Sequence, residues 1–164
     1  MPDPPPLLYV KARAELLSRP SLTVVGSRNT TAQGMANAEA FARTLSDAGL
    51  TIVSGLAIGA DTAAHRGGLA GTSSSAAVLG TGADIVYPAR NRALAHELVE
   101  RGALISEFPL GTRPLTGNFP RRNRLISGLA LGCLVVEAAA DSGSLITARL
   151  AAEQGREEIG RAHA

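Results

Sequence analysis

The residues best suited to chemistry lie between Asn118 and Gly128, where the chain reads N-F-P-R-R-N-R-L-I-S-G. Arg121, Arg122 and Arg124 crowd one turn just after Phe119, and no Asp or Glu occurs between Glu107 and Glu137. A guanidinium cluster without acids attracts an anion, and a ring beside it offers a face on which a base can stack. Pro120 pre-sets φ for a first helical turn, so the arginines fall where backbone N–H groups also point at an anion. The residues alone leave two readings open: an anion site, or a solvated basic helix start that pairs with acids elsewhere.

Other groups can share such an anion. Gly26-Ser27-Arg28 follows an apolar run and suits a phosphate turn, with glycine for close approach, Ser as donor and Arg as charge. Ser142-Gly143-Ser144 is a second such turn, or a plain helix cap. Asp61 and His65 stand four apart on one helix face, which predicts a structural Asp–His hydrogen bond. Glu107 and Glu137 each end a strand, as an acid/base pair or as partners that orient arginines. The nucleotide fingerprints G-x-G-x-x-G and the P-loop are absent, as are G-x-S-x-G and any metal-ligand spacing. Cys133, the only cysteine, sits in L-G-C-L-V-V and reads as a quiet core thiol; an intramolecular disulfide is excluded.

These groups need elements to position them. The 164 residues suffice for one domain, and 45% hydrophobic with 18% charged content fits a globular α/β chain. The net charge of +2 is too small to imply nucleic acid by itself. No stretch is long and apolar enough to span a membrane, and a cytoplasmic location is the expectation. Residues 1–6 read as a Pro-rich linker and Leu7–Arg19 as a short helix. Apolar runs predict strands over Leu22–Val25, Leu50–Ser54, Ser75–Leu79, Ala103–Ser106 and Cys133–Glu137. Helices are predicted between them near 32–48, 59–69, 91–101 and 120–128, with a last one near 144–154; Thr30 or Thr31 caps the first and Asn91 the third. Strand–turn–helix alternation with unalternating strands predicts a mostly parallel sheet flanked by helices on both faces, a three-layer Rossmann-like α/β fold. Ligands of such sheets bind beyond the strand C-termini. Those ends carry Gly26-Ser27-Arg28, Ser54-Gly55, Gly80-Thr81-Gly82, Ser106-Glu107 and Glu137 onward, and the arginine helix borders the same rim.

Six motifs in one order resemble the DNA-processing protein A family (DprA, also called Smf). They are V-V-G-S-R at 24–28, S-G-L-A-I-G-A-D-T-A-A-H at 54–65, V-L-G-T-G-A-D-I-V-Y-P-A-R-N at 78–91, S-E-F-P-L-G at 106–111, N-F-P-R-R-N-R-L-I-S-G-L at 118–129 and V-V-E-A-A-A-D-S-G-S-L-I-T-A at 135–148. The resemblance implies a Rossmann-like domain that binds single-stranded DNA without turnover and helps load the RecA recombinase during natural transformation. It implies no cofactor, a homodimer in the full-length protein and no membrane partner. On the rim it implies that Gly26, Ser27 and Arg28 hold a phosphate, that Phe119 meets a base, and that Arg121, Asn123 and Arg124 line the pocket, with Arg122 left open. Ser54, Gly55, Gly80, Gly82, Ser142, Gly143 and Ser144 complete the expected DNA- or phosphate-binding set, while Asp61, His65 and Glu137 are assigned to the scaffold. A lysine of the family pattern ahead of the phenylalanine is absent, and Arg113 stands nearby. The competing reading is a nucleoside-monophosphate hydrolase of the related lysine-decarboxylase-like group, whose P-G-G-x-G-T-x-x-E signature is replaced here by D-S-G-S-L-I-T-A. The domain is expected over 21–157 and C-terminally incomplete, after a linker and short helix over 1–20. Residues 158–164, containing E-I-G-R-A-H, are set aside as a non-native tail.

Overall fold

The computed structural model describes residues 1–138 and 143–161, the last three by backbone alone. Its centre is five short parallel strands: β2 (Ser21–Gly26), β3 (Thr51–Ser54), β4 (Ser75–Val78), β5 (Ala103–Ser106) and β6 (Gly132–Val136). They are apolar along their length because helices cover both faces. Register decides which side each residue serves. Ile52, Ala77 and Leu104 pack under α1 (Ala32–Asp47), α2 (Ala60–Ala70) and α3 (Arg92–Arg101), while Val25, Val53 and Ile105 pack under α4 (Asn118–Gly128) and α5 (Gly143–Glu153). Cys133 belongs to this second core, and burial pushes its thiol up to about 12.

The sheet is completed by β1 (Tyr9–Ala12) and β7 (Glu157–Arg161), in the order β1-β5-β4-β3-β2-β6-β7. Only β1 runs antiparallel among the described strands, against β5. The first addition corrects the sequence expectation. The segment read as a helix over Leu7–Arg19 splits into β1 and a 3-10 turn over Ala14–Ser18, because the β5 edge offers ladder partners from Tyr9↔Ser106 to Ala12↔Ala103. Residues from Glu158 that were set apart from the fold pair with the free edge of β6. The winding carries β2 through β5 in one direction, and the chain then returns to place β6 on the other side of β2. The direction of winding therefore switches between β2 and β6, and the crevice beyond their C-termini is where such sheets take ligands.

The caps behave unequally. Thr31 caps α1, its hydroxyl accepting Gly34 N–H at 3.0 Å. Asn91 does not cap α3; its amide donates to Leu56 O at 2.9 Å and Ala57 O at 3.3 Å, holding the loop before α2.

Candidate functional site

A cavity of about 670 Å³ opens at that switch point. The turn after β2 supplies Gly26–Asn29, the start of α2 supplies Ala57 and Asp61, and the start of α5 supplies Gly143, Ser144 and Thr147. Helix α4 contributes Phe119, Arg122, Asn123 and Ile126. Those four sit at i, i+3, i+4 and i+7, the spacing that places side chains on one helical stripe.

The same geometry turns Arg121 and Arg124 to the other side. Arg124 grips Glu107 with two nitrogens, Nη1–Oε1 at 2.6 Å and Nη2–Oε2 at 2.7 Å, and the Glu107 side chain is 3% exposed. The Glu107 hydrogen bonds raise the Arg124 pKa above its ordinary value. Arg121 is exposed, 3.6 Å from Glu107 and 5.6 Å from the centre of the Phe108 ring. Neither lines the cavity. Glu107 therefore orients arginines, one of its two expected roles. It does not meet Glu137, which ends a strand on the far side of β4, β3 and β2.

Arg122, left open by the sequence, is the buried cation of the cavity wall. Its Nη1 donates to Val78 O at 2.8 Å, its Nε donates to Asn123 Oδ1 at 3.3 Å, and its guanidinium lies 5.5 Å from the Phe119 ring centre. No ion pair of 4.0 Å or less reaches it among the described residues. The charge that acts on it most is Asp61. Burial lowers the Arg122 pKa and raises that of Asp61, and each charge pulls the other back toward ionisation. Gly55 stands between them, since a Cβ there would lie 2.6 Å from both Arg122 Nη2 and Asp61 Oδ2.

The Gly26-Ser27-Arg28 turn lines the cavity, with two of the amides around it bonded within the protein. Ser27 N–H donates to Glu137 O at 3.1 Å and Asn29 N–H to Ser27 Oγ at 3.0 Å. Arg28 is exposed and makes no hydrogen bond or ion pair among the described residues. The turn thus presents a guanidinium rather than a cradle of amides.

Phe119 is half-buried against Gly80, where a Cβ would stand 2.7 Å from the ring, and Tyr87 lies 5.5 Å away at 38°. These rings, with Arg28 and Arg122, also line an adjoining cavity of about 130 Å³. Tyr87 was not singled out by sequence, although its rarity among five aromatics was a signal. Ser54 is buried with its hydroxyl on Val24 O at 2.6 Å, and Gly82 holds the loop at Thr112 through a 3.0 Å amide bond; neither lines the cavity. Ser142 lies outside the described residues.

His65 is scaffold, but not through Asp61. Its Nδ1 lies 2.6 Å from Ser75 Oγ and its Nε2 meets Gly55 O, so no ring nitrogen remains for the carboxylate. Among the described residues no cluster of His, Cys, Asp and Glu could hold a metal, and no helix is long and apolar enough to cross a membrane.

With this geometry in place, likeness to known proteins becomes informative. The family model for DNA recombination-mediator protein A matches residues 1–159. The chain belongs to that family. It is 51% identical over 156 residues to protein Smf of Escherichia coli K12, covering 94% of this chain and 42% of that protein. The X-ray structure of DNA processing protein A from Streptococcus pneumoniae matches with a TM-score of 0.91 at 43% identity, over 96% of this chain and 56% of that one. DNA processing protein A of Helicobacter pylori, described for its single-stranded DNA binding mode, matches with a TM-score of 0.90 at 30% identity, over 96% and 73%. The six-motif resemblance and the Rossmann-like fold expected from it both hold. The chain spans about half the length of the curated relatives it matches.

Proposed function

We propose that this domain binds single-stranded DNA in the switch-point cavity. Arg28 and Arg122 take phosphate charge, and Phe119 with Tyr87 offers ring faces to bases. The observation that carries the reading is Arg122, a buried guanidinium on the wall of an open cavity with no carboxylate within 4.0 Å among the described residues. Buried charges are held by partners, and a phosphate entering here completes the set. The DNA-binding relative of the same fold supports the choice of ligand. Contacts to phosphate carry no base information, so binding is sequence-independent. In the longer protein, the reading extends to loading RecA on the strand during natural transformation, as a homodimer in the cytoplasm, by binding rather than turnover.

Fluorescence anisotropy of labelled oligo-dT at several salt concentrations tests it, with duplex as competitor. Preference for the single strand and a steep loss of affinity with salt are expected. Phe119→Ala should cost about 1–3 kcal/mol per stacked base and leave the salt slope nearly unchanged. A folded domain indifferent to oligo-dT, or a Phe119→Ala variant that binds as well as the native chain, would remove the cavity from consideration.

A further inference from the structure

Strand β6 ends at Val136, and the next residue, Glu137, turns into the left-handed region with φ 47°. A non-glycine residue persists there only where its surroundings over-determine it. Glu137 meets that condition. Its carbonyl accepts Ser27 N–H at 3.1 Å, one carboxylate oxygen accepts Thr31 N–H at 2.8 Å, and the other takes the Thr31 hydroxyl. The carboxylate lies on the first turn of α1, where a Cβ on Gly34 would stand 2.3 to 2.6 Å from its atoms. Glycine at 34 makes the room that the carboxylate fills.

A helix start carries unsatisfied N–H groups and partial positive charge, and it draws anions. In this fold the β2–α1 turn lies beside a DNA cavity, so the α1 terminus is an obvious place for a phosphate. A carboxylate already stands there: Thr31 N–H serves Glu137, Gly34 N–H serves Thr31 Oγ1 at 3.0 Å, and the Glu137 carboxylate fills the space against Gly34 on the first turn.

We infer that Glu137 is the resident anion of the α1 N-terminus, closing it to phosphate and fixing the Gly26–Asn29 turn to the end of β6, so that phosphate falls to the Arg28 and Arg122 guanidiniums. The last clause rests on the single-strand reading of the cavity; the first two do not. Glu137 is a positioning residue, acting through the turn rather than on the strand.

The test uses the chain as it stands. Inorganic phosphate titrated into isotope-labelled native protein should leave the Thr31 and Gly34 amide resonances in place. Saturable shifts of those amides in the native chain would overturn the inference, whatever the variants do. In Glu137→Ala the same amides should shift saturably with phosphate or acetate, and the lost Tm should return as acetate rises. Glu137→Gln still fills the place, so acetate should not rescue it. On oligo-dT, Glu137→Ala should steepen the slope of log affinity on log salt by about 0.7, the increment for one more phosphate contact on a single strand. Absence of acetate rescue, or a slope unchanged from native, counts against the inference. Should Glu137→Ala fail to fold, the titration of the native chain still decides. Failure of native protein to bind oligo-dT removes the cavity reading alone and leaves the phosphate and acetate results to stand on their own.

Discussion

Arg124 commits two guanidinium nitrogens to Glu107, whereas Arg28 is exposed and meets no carboxylate among the described residues. The two should separate cleanly on substitution. Arg124→Ala leaves the 3%-exposed Glu107 carboxylate without its principal partner. It is expected to cost about 3 kcal/mol in urea unfolding, the lower end for breaking a buried pair, with the DNA salt slope unchanged. Arg28→Ala is expected to leave the urea midpoint in place and flatten that slope by about 0.7, the loss of one phosphate contact. Reversal of these two outcomes would return Arg124 to the DNA site. Charge clustering made Arg124 visible in the sequence, and the glycine turn after an apolar run made Arg28 visible. That Arg124 would be held by a carboxylate and Arg28 would not depended on Glu107 arriving at the end of β5.

At the scale of elements, α4 shows what was legible. An acid-free run of arginines beside Phe119 marked the helix, but Arg121, Asn123 and Arg124 were grouped as the pocket with Arg122 left open, and the structure puts Phe119, Arg122, Asn123 and Ile126 on the cavity stripe instead. Which stripe faced the crevice was open, because both stripes carry arginine. The β2–β6 pairing at the floor of that crevice is tight. A Cβ on Gly26 would stand 2.0 Å from Val136 O and 2.6 Å from Ala60 Cβ, with backbone that cannot swing aside. Gly26→Ala is therefore expected to destabilise the domain by about 3 kcal/mol or more, as overpacking against fixed atoms does. A urea midpoint equal to native would mean that β6 and α2 yield more easily than the geometry indicates. The edge strands were the least legible elements. Tyr9–Ala12 and Glu157–Arg161 have no side-chain pattern that demands a strand, and each is specified by an open backbone edge beside it.

For the whole molecule, the buried polar groups under the rim set a pH dependence. Burial draws the His65 pKa down to about 4 from an ordinary 6.5, against the Gly55 carbonyl that pulls it up. The folded value lies below the unfolded one. The neutral ring's contribution is therefore complete above pH 6.5 and is lost as pH falls toward 4, by about 3 kcal/mol in all. Asp61 has the opposite sign: burial raises its pKa, so its contribution is present at low pH and lost as pH rises. Comparison with His65→Gln isolates the first effect. The urea midpoint of the native chain should fall between pH 6.5 and 5 more steeply than that of the variant. Parallel profiles would show that His65 is not held neutral by the fold.

What the sequence determined by itself was everything that repeats locally. Apolar runs of strand length, helical periods, Gly and Pro punctuation and a chain of ordered motifs specified a doubly covered parallel sheet and the rim that carries its polar residues. Only the tertiary structure decided which polar groups remained available on that rim. Ser27 and Thr31 gave their amides to Glu137, His65 took Ser75 and Gly55, and Glu107 took Arg124, while Arg28 and Arg122 were left to the cavity. The physical reason is that a hydrogen bond or ion pair belongs to two groups brought from distant parts of the chain. Spacing along the sequence identifies the donors and acceptors, and strand order with register assigns the pairs.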